Sequence, residues 1–437
     1  MGSRVVLIDG EHYPDVVKWA VGKLGDVCCA VFLGGAEKLE SLGALEAVLG
    51  IPVYSGDPLR TLAEVLASNN PSEVIDLSDE PVVDYEMRFR IASLCLMHGV
   101  TYRGADFEFR PKEMKRPPKP SIGIIGTGKR VGKTALSGFV ARTLKEISRP
   151  LIITMGRGGP ERPEVVDGEK FEITPEFLAR LAREGRHAAS DHFEDALTSR
   201  VTTIGCRRCG GGMAGFSFFD VVDEAMELAK GMPHDLLILE GSGASFPAYR
   251  ADAYITVASA FQREDYLRGY FGPFRLSLAD VVVITMAEGK GEERARKVSG
   301  IVREVNPAAD VHLVTFRPRP LGEVAGKRVA LVMTGELGLG PARSHLEKLG
   351  AEVLHTSPNL ARRPQLRKDL ESFEGIDALV VELKAAAVDV VTLWALERGI
   401  EVIYFDNEPV NVDGKDLREA VLGLGRRVLG GEHDTRD

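Results

Sequence analysis

Short apolar runs alternate with segments whose apolar residues recur at helical spacing almost throughout the chain. Arg4–Ile8 is an apolar run closed by the turn Asp9-Gly10-Glu11-His12-Tyr13-Pro14, after which Val16, Val17, Ala20, Val21 and Leu24 repeat at the period of a helix. Val27–Leu33 ends on Gly34-Gly35, and Val53–Tyr54 and Val74–Leu77 are further strand candidates, each followed by a helical pattern. Strands separated by helical runs imply parallel pairing through βαβ crossovers. This first block ends near Arg110. The run Arg110–Pro120, RPKEMKRPPKP, combines prolines that forbid regular structure with charge that favours solvent, so 111–120 is expected to be a linker.

A second block starts at Ser121. It offers strands at Ile122–Ile125, Leu151–Thr154, Asp235–Leu239, Ala253–Val257, Val281–Thr285 and Val311–Thr315. Arg317-Pro318-Arg319-Pro320 marks a second boundary. The last block repeats the pattern with strands at Val329–Met333, Glu352–Leu354, Ala378–Val381 and Val402–Phe405. The expected architecture is a three-part α/β protein with mostly parallel sheets, divided 1–110, 121–320 and 321–437. No internal repeat or low-complexity tract interrupts it.

Composition narrows the function classes. The 437 residues suit about three domains. With 44% hydrophobic and 27% charged residues, the chain can bury enough apolar area to order itself. Its net charge of −9 argues against nucleic acid as a general partner. The apolar stretch around Val388–Ala395 is cut by Lys384, Asp389 and Glu397, so no membrane span is expected. The N-terminus has neither signal-peptide chemistry nor a myristoylation pattern after Gly2. Five cysteines do not make a disulfide scaffold, and a cytoplasmic location is expected. Mostly parallel sheets also tend to leave an edge strand suited to a homodimer.

The strongest chemical signal is Gly126-Thr127-Gly128-Lys129-Arg130-Val131-Gly132-Lys133-Thr134, between an apolar strand and the helix Leu136–Leu144. That is the context of a P-loop. Glycines let successive backbone N–H groups face phosphate oxygens, and the helix N-terminus adds its partial positive charge. Lys133 is placed to reach the β- and γ-phosphates of ATP, and the Thr134 hydroxyl to ligate Mg2+. Gly126 and Gly132 are separated by five residues rather than the standard four.

The form Gly-Thr-x-x-x-Val-Gly-Lys-Thr resembles the P-loop of dethiobiotin synthetase and its relatives. Glu240-Gly241-Ser242-Gly243-Ala244, ending an apolar strand, is similar to the acidic-glycine segment of that family. The resemblance implies Glu240 as a direct or water-mediated Mg2+ ligand. It also implies Asp191, after Ser190, as a second Mg2+ carboxylate, with Asp195 on the same helical pattern as the competing choice. Asp191 reads equally as the N-cap of the helix through Leu197.

Two more glycine-rich segments carry basic residues. Met155-Gly156-Arg157-Gly158-Gly159-Pro160 follows a strand, where ligands bind in open α/β sheets and Arg157 can fork onto a phosphate. Gly205-Cys206-Arg207-Arg208-Cys209-Gly210-Gly211-Gly212 is read as a second anion loop, with Arg207 and Arg208 as phosphate ligands. Its Cys-x-x-Cys spacing alternatively suggests half of a metal or redox site, but no second cysteine pair is spaced to complete it. Together with Lys129 and Arg130 these make a cationic set in an acidic chain, as expected where two polyanions meet. In the first block, Asp9–Pro14 and Asp76–Pro81 both follow strands. They are turn and capping chemistry, or a second face of the site in which His12 binds phosphate or moves a proton.

As a whole, the chain resembles the cyclic 2,3-diphosphoglycerate synthetase family. The resemblance rests on Leu7–Pro14, the loop GTGKRVGKT, Met155–Pro163, the Cys-Arg-Arg-Cys segment and Leu239–Pro247, and it implies a dethiobiotin synthetase-like P-loop domain flanked by Rossmann-like α/β domains. The implied reaction converts ATP and 2,3-diphosphoglycerate to ADP, phosphate and the cyclic phosphoanhydride. Lys133, Lys129, Arg130 and Arg157 would then be catalytic, with Arg157, Arg207, Arg208 and His12 holding the substrate. A 2-phosphoglycerate kinase, a dethiobiotin-synthetase-like ligase and a non-enzymatic P-loop regulatory ATPase are the competing readings.

Overall fold

In the computed structural model, which describes residues 3–38, 41–170, 172–186, 188 and 190–431, the strands gather into two sheets. The first has six strands in the order Val53–Tyr54, Val27–Phe32, Arg4–Ile8, Glu73–Asp76, Thr101–Arg103 and Glu108–Phe109. All its pairs are parallel except the last. Its helix Tyr85–Met97 docks on the second unit through aromatic rings: Phe89 meets Tyr270 and Phe271 at centroid separations of 5.4 and 5.3 Å.

The second sheet has thirteen strands and runs through both remaining blocks. One half is ordered Ser217–Asp220, Thr203–Gly211, Pro150–Gly156, Leu236–Glu240, Ser121–Gly126, Ala253–Ser259, Val281–Thr285 and Asp310–Pro320, with Glu164–Val166 beside Thr203–Gly211. The other half continues with Glu401–Asn411, Ala378–Glu382, Arg328–Val332 and Glu352–Ser357. The central strands are buried along their whole length because helices cover both faces, which is why they read as unbroken apolar runs. Among the described residues, no helix is long and apolar enough to cross a membrane.

One sequence expectation is corrected here. Gly205–Gly212 is not a loop. Most of it lies in strand Thr203–Gly211, parallel to Pro150–Gly156 and antiparallel to Ser217–Asp220. The boundary segment Arg317–Pro320 ends the long strand Asp310–Pro320, which pairs antiparallel with Glu401–Asn411 and carries the sheet from one block into the next. Proline is tolerated there by alternation. Leu321 N–H donates to Tyr404 O, so the nitrogens of Arg319 and Arg317 face the partner strand and those of Pro318 and Pro320 face the open side.

This long strand sets the relation between the halves. Its start, Asp310–Leu313, pairs with Val281–Ile284, whereas Val314–Pro320 pairs with Asn411–Phe405. Phe405 in turn lies opposite Glu382. The parallel strands of the last block therefore run opposite to those of the P-loop half. They end level with Pro320, seven residues past Leu313, or roughly 23 Å at the rise of a strand. The carboxyl edges of the two halves face each other, and the loops after each set of strands meet in the space between.

Candidate active site

The loop after Ser121–Gly126 turns sharply into the helix Lys133–Leu144. Arg130 and Gly132 take φ values of +62° and +91° to make that turn. Gly132 has a second reason to lack a side chain: a Cβ there would stand 2.6 Å from the Phe316 ring. Thr127 is pinned by its N–H to Val257 O (2.9 Å), and Thr285 Oγ1 donates to Val131 O (2.9 Å). Lys129 and Arg130 are exposed and have no carboxylate partner among the described residues. Thr134 is half-buried in the first helical turn.

Lys133 is buried and ion-paired with Glu240, at the end of the neighbouring strand Leu236–Glu240. Thr154 Oγ1 donates to the other Glu240 oxygen at 2.8 Å. Burial alone would push Glu240 up, but Lys133, Asp195 and Thr154 hold its carboxyl below the usual range. Asp195 is fully buried, and neither of its oxygens finds a donor. Burial first, then the adjoining Glu240, raises it far above an ordinary aspartate. Asp191 is raised by the same two causes. Both belong to the helix Asp191–Ser199 and feel the Glu240 charge, although no group of three such side chains arranged to hold a metal ion is found among the described residues. Ser190, not Asp191, occupies the N-cap position.

The cleft beside this cluster has about 310 Å³ of empty space and is lined by Thr154, Gly156–Gly159, Ser190–His192 and Cys206. Arg157 is exposed on its rim. Strand alternation separates the two arginines of the Cys-Arg-Arg-Cys segment. Arg208 is buried: its Nη2 donates to Ser242 O at 2.9 Å and its Nε has no partner. Burial and then the Arg157 charge pull its pKa down. Arg207 is exposed, and its Nε donates to Gly159 O at 2.9 Å, bracing the Arg157 turn. Gly159 permits that approach, since a Cβ there would lie 2.0 Å from Cys206 O. Cys206 is buried and Cys209 exposed on opposite faces of the strand, so the pair is not arranged as half of a metal site.

His12 finds its partners within the first block. Its Nδ1 lies 2.8 Å from Asp9 and its Nε2 3.3 Å from Asp79, both in loops of the six-stranded sheet. Asp9 is buried and also accepts the N–H groups of Glu11, His12 and Asp79. Its hydrogen bond to the ring raises the His12 pKa. Nδ1 is thus held by the buried Asp9, while Nε2 faces the exposed Asp79 carboxylate.

One group beside the helix Asp191–Ser199 has no signature in the sequence. Lys384, in the turn after strand Ala378–Glu382, reaches Glu194 on the helix of Asp191 and Asp195. Across the same junction Arg142 of the P-loop helix bonds Asp406 at 2.7 Å, pairs with Glu408 and donates to Thr198 O at 3.0 Å. Arg319 adds a bond to Thr198 O at 2.8 Å.

Comparisons with known proteins agree across the whole chain. Residues 121–315 match the model for the cyclic 2,3-diphosphoglycerate synthetase P-loop domain, 3–110 that for the N-terminal domain and 320–408 that for the C-terminal domain. Cyclic 2,3-diphosphoglycerate synthetase of Thermococcus gammatolerans is 69% identical over 99% of this chain and 99% of its own. That of Thermococcus kodakarensis is 68% identical over 98% and 99%, and that of Methanothermobacter thermautotrophicus 44% identical over 98% and 97%. Among solved structures, LpxK from Aquifex aeolicus is similar with a TM-score of 0.46 at 14% identity, covering 79% of this chain and 96% of its own. With its three segments and its full-length relatives all pointing the same way, the chain belongs to the cyclic 2,3-diphosphoglycerate synthetase family.

Proposed function

We propose that the chain closes 2,3-diphosphoglycerate into its cyclic phosphoanhydride at the expense of ATP, releasing ADP and phosphate. The observation that carries this reading is charge. Lys129, Arg130, Arg157, Arg207 and Arg208 lie at one carboxyl edge beside the P-loop, and none has a carboxylate partner among the described residues, in a chain of net charge −9. A nucleotide tail alone does not need five cations without carboxylate partners; two polyanions held together do.

The chemistry follows from electrostatics. Two phosphates on one small acid repel each other, and neither carries a good leaving group. Transfer of the γ-phosphoryl group to one of them makes a mixed anhydride and releases ADP. The second phosphate then attacks the activated phosphorus and expels inorganic phosphate, so one P–O bond forms as another breaks. Both steps depend on positioning and charge neutralisation. The attacking phosphate is already an anion at neutral pH, so no general base is required.

Lys133 would exchange Glu240 for the β- and γ-phosphates, and the amides of Gly126–Thr134 would cradle them. Lys129 and Arg130 would stand near the transferring group. Arg157 and Arg208 would hold the diphosphoglycerate, with Arg207 bracing the turn. The donor set suits Mg2+. Asp195 offers two buried oxygens without donors, next to Glu240 and close to Asp191, and hard cations take oxygen ligands. Thr134, Glu240 and Asp191, with Asp195, would hold the ion, directly or through water. Bound there, it would neutralise charge on the phosphate oxygens.

Phosphorus NMR of the protein with Mg-ATP and 2,3-diphosphoglycerate tests the proposal. A new pair of coupled phosphoanhydride signals, growing with ADP and phosphate, is expected. ATP turnover that is indifferent to the acid would overturn it, and free 2,3-diphosphoglycerate appearing from 2-phosphoglycerate would point to a kinase.

A further inference from the structure

The last block has no phosphate motif, yet its strands end facing the P-loop edge. The turn that leaves strand Ala378–Glu382 carries Lys384, with Ala385 at φ +47°, and leads into the π-helix Ala387–Thr392. Turns of this kind, and π-helical segments, recur at functional sites.

Lys384 is held loosely for a lysine among acids. Its Nζ lies 3.4 Å from Glu194 and 3.6 Å from Glu382, both longer than the 2.7–2.9 Å of a charge-assisted hydrogen bond. Glu382 is satisfied without it: Thr334 N–H and Oγ1 donate to one oxygen at 2.9 and 2.5 Å, and Asn407 Nδ2 to the other at 2.8 Å. The Lys384 side chain keeps 29% of its surface open to solvent. Nor is it needed to join the two halves, since Arg142 and Arg319 already clamp Asp406, Glu408 and Thr198 O. What remains is an ammonium group with unspent donors. It stands beside Glu194, on the helix that also carries Asp191 and Asp195. Against the pull of burial, Glu194, Glu382 and Asp406 keep it charged.

We infer that Lys384 is a substrate ligand supplied by the C-terminal segment, which turns from Glu194 to a phosphate of the acid substrate held opposite the P-loop. The inference rests on the cyclase reading and gives the last block a part in it. The two phosphates that must react would be drawn together between cations from facing sheet edges: Arg157 and Arg208 on one side, Lys384 on the other. The same ammonium chemistry could instead take the γ-phosphate of ATP, and the kinetics separate the two.

The test is steady-state kinetics of the full chain with ATP and 2,3-diphosphoglycerate varied in turn, for the unmodified protein, K384M, K384R and E194Q. K384M should raise the KM for 2,3-diphosphoglycerate by about tenfold or more and leave that for ATP within about twofold. K384R should recover most of the loss. E194Q, which removes the resting partner, should lower the KM for the acid and so carries the test if K384M does not fold. An unchanged KM for the acid in K384M, or in E194Q where K384M does not fold, overturns the inference, as does a rise confined to ATP. Normal cyclisation by the unmodified protein with an unchanged K384M overturns this inference alone. Absence of cyclic product from the unmodified protein overturns the cyclase reading and this inference together.

Discussion

Lys133 of the P-loop is ion-paired with Glu240 across two neighbouring strands, and Thr154 holds the other Glu240 oxygen at 2.8 Å. The pair is buried, so losing one partner leaves an uncompensated group in low dielectric, at a cost of about 3 kcal/mol. K133M should therefore lower the thermal midpoint as well as reduce cyclisation by about 10²-fold or more. Adding E240Q should restore much of the midpoint, because the stranded charge is gone, with no return of turnover. Calorimetric melts alongside phosphorus NMR would separate the two effects. Recovery of activity in the double variant would remove Lys133 from phosphate binding.

His12 gives a pH signature of its own. Asp9 holds its ring from one side and Asp79 from the other, with Glu11 adding negative charge, so its pKa lies above the ordinary value near 6.5. A raised folded-state pKa means stability that is complete below pH 6.5 and lost as pH climbs through the folded value. H12Q should thus cost more stability at pH 6 than at pH 9, by about 1 kcal/mol or less, because the ring is partly exposed. Chemical denaturation at the two pH values checks this, and an NMR titration of the ring should give a midpoint above 6.5. Equal losses at both pH values would contradict the charged bridge.

The alternation of strands and helices was legible because central strands covered on both faces must be apolar throughout, and Ser121–Gly126, Leu236–Glu240 and Val281–Thr285 are. The P-loop was legible because its glycines, lysine and threonine are dictated by the backbone path. What escaped was structure imposed by neighbours. Nothing in GCRRCGG signals a strand; it is one because it extends the edge offered by Pro150–Gly156. Arg317–Pro320 reads as a stop, and only its register against Glu401–Asn411 shows that the prolines point their missing donors away from the ladder. Lys384 gives no local signal at all. Its role depends on an offset of the last sheet half that no single segment encodes.

The Cys-x-x-Cys spacing yields a prediction opposite to its usual reading. Cys206 is buried and burial pushes its thiol up to about 12, whereas Cys209 is exposed on the other face of the strand. A low-pKa thiolate pair is what redox or metal chemistry requires. C209S should leave turnover within about twofold of the parent protein, before and after exposure to a mild oxidant or a chelator of zinc. A loss of activity with C209S, matched by loss of bound zinc in elemental analysis, would restore the metal reading.

Arg207 and Arg208 are neighbours in sequence, yet the structure gives them different surroundings, and on the proposed reading their variants should differ accordingly. Arg208 is buried with a free Nε near Arg157, two guanidinium groups without carboxylates that would suit an anion on the proposed reading. R208M removes a donor from that pair and should raise the KM for 2,3-diphosphoglycerate by about tenfold or more, with the KM for ATP little changed. Arg207 faces solvent and acts through Gly159 O, on the turn that carries Arg157. R207A should weaken binding of the acid less, by about two- to fivefold, and R207K should not rescue it, because lysine cannot offer the Nε–H along the same direction. Kinetics with each substrate varied would show the order. If R207A exceeded R208M, the exposed arginine would be the phosphate ligand and the buried one its support.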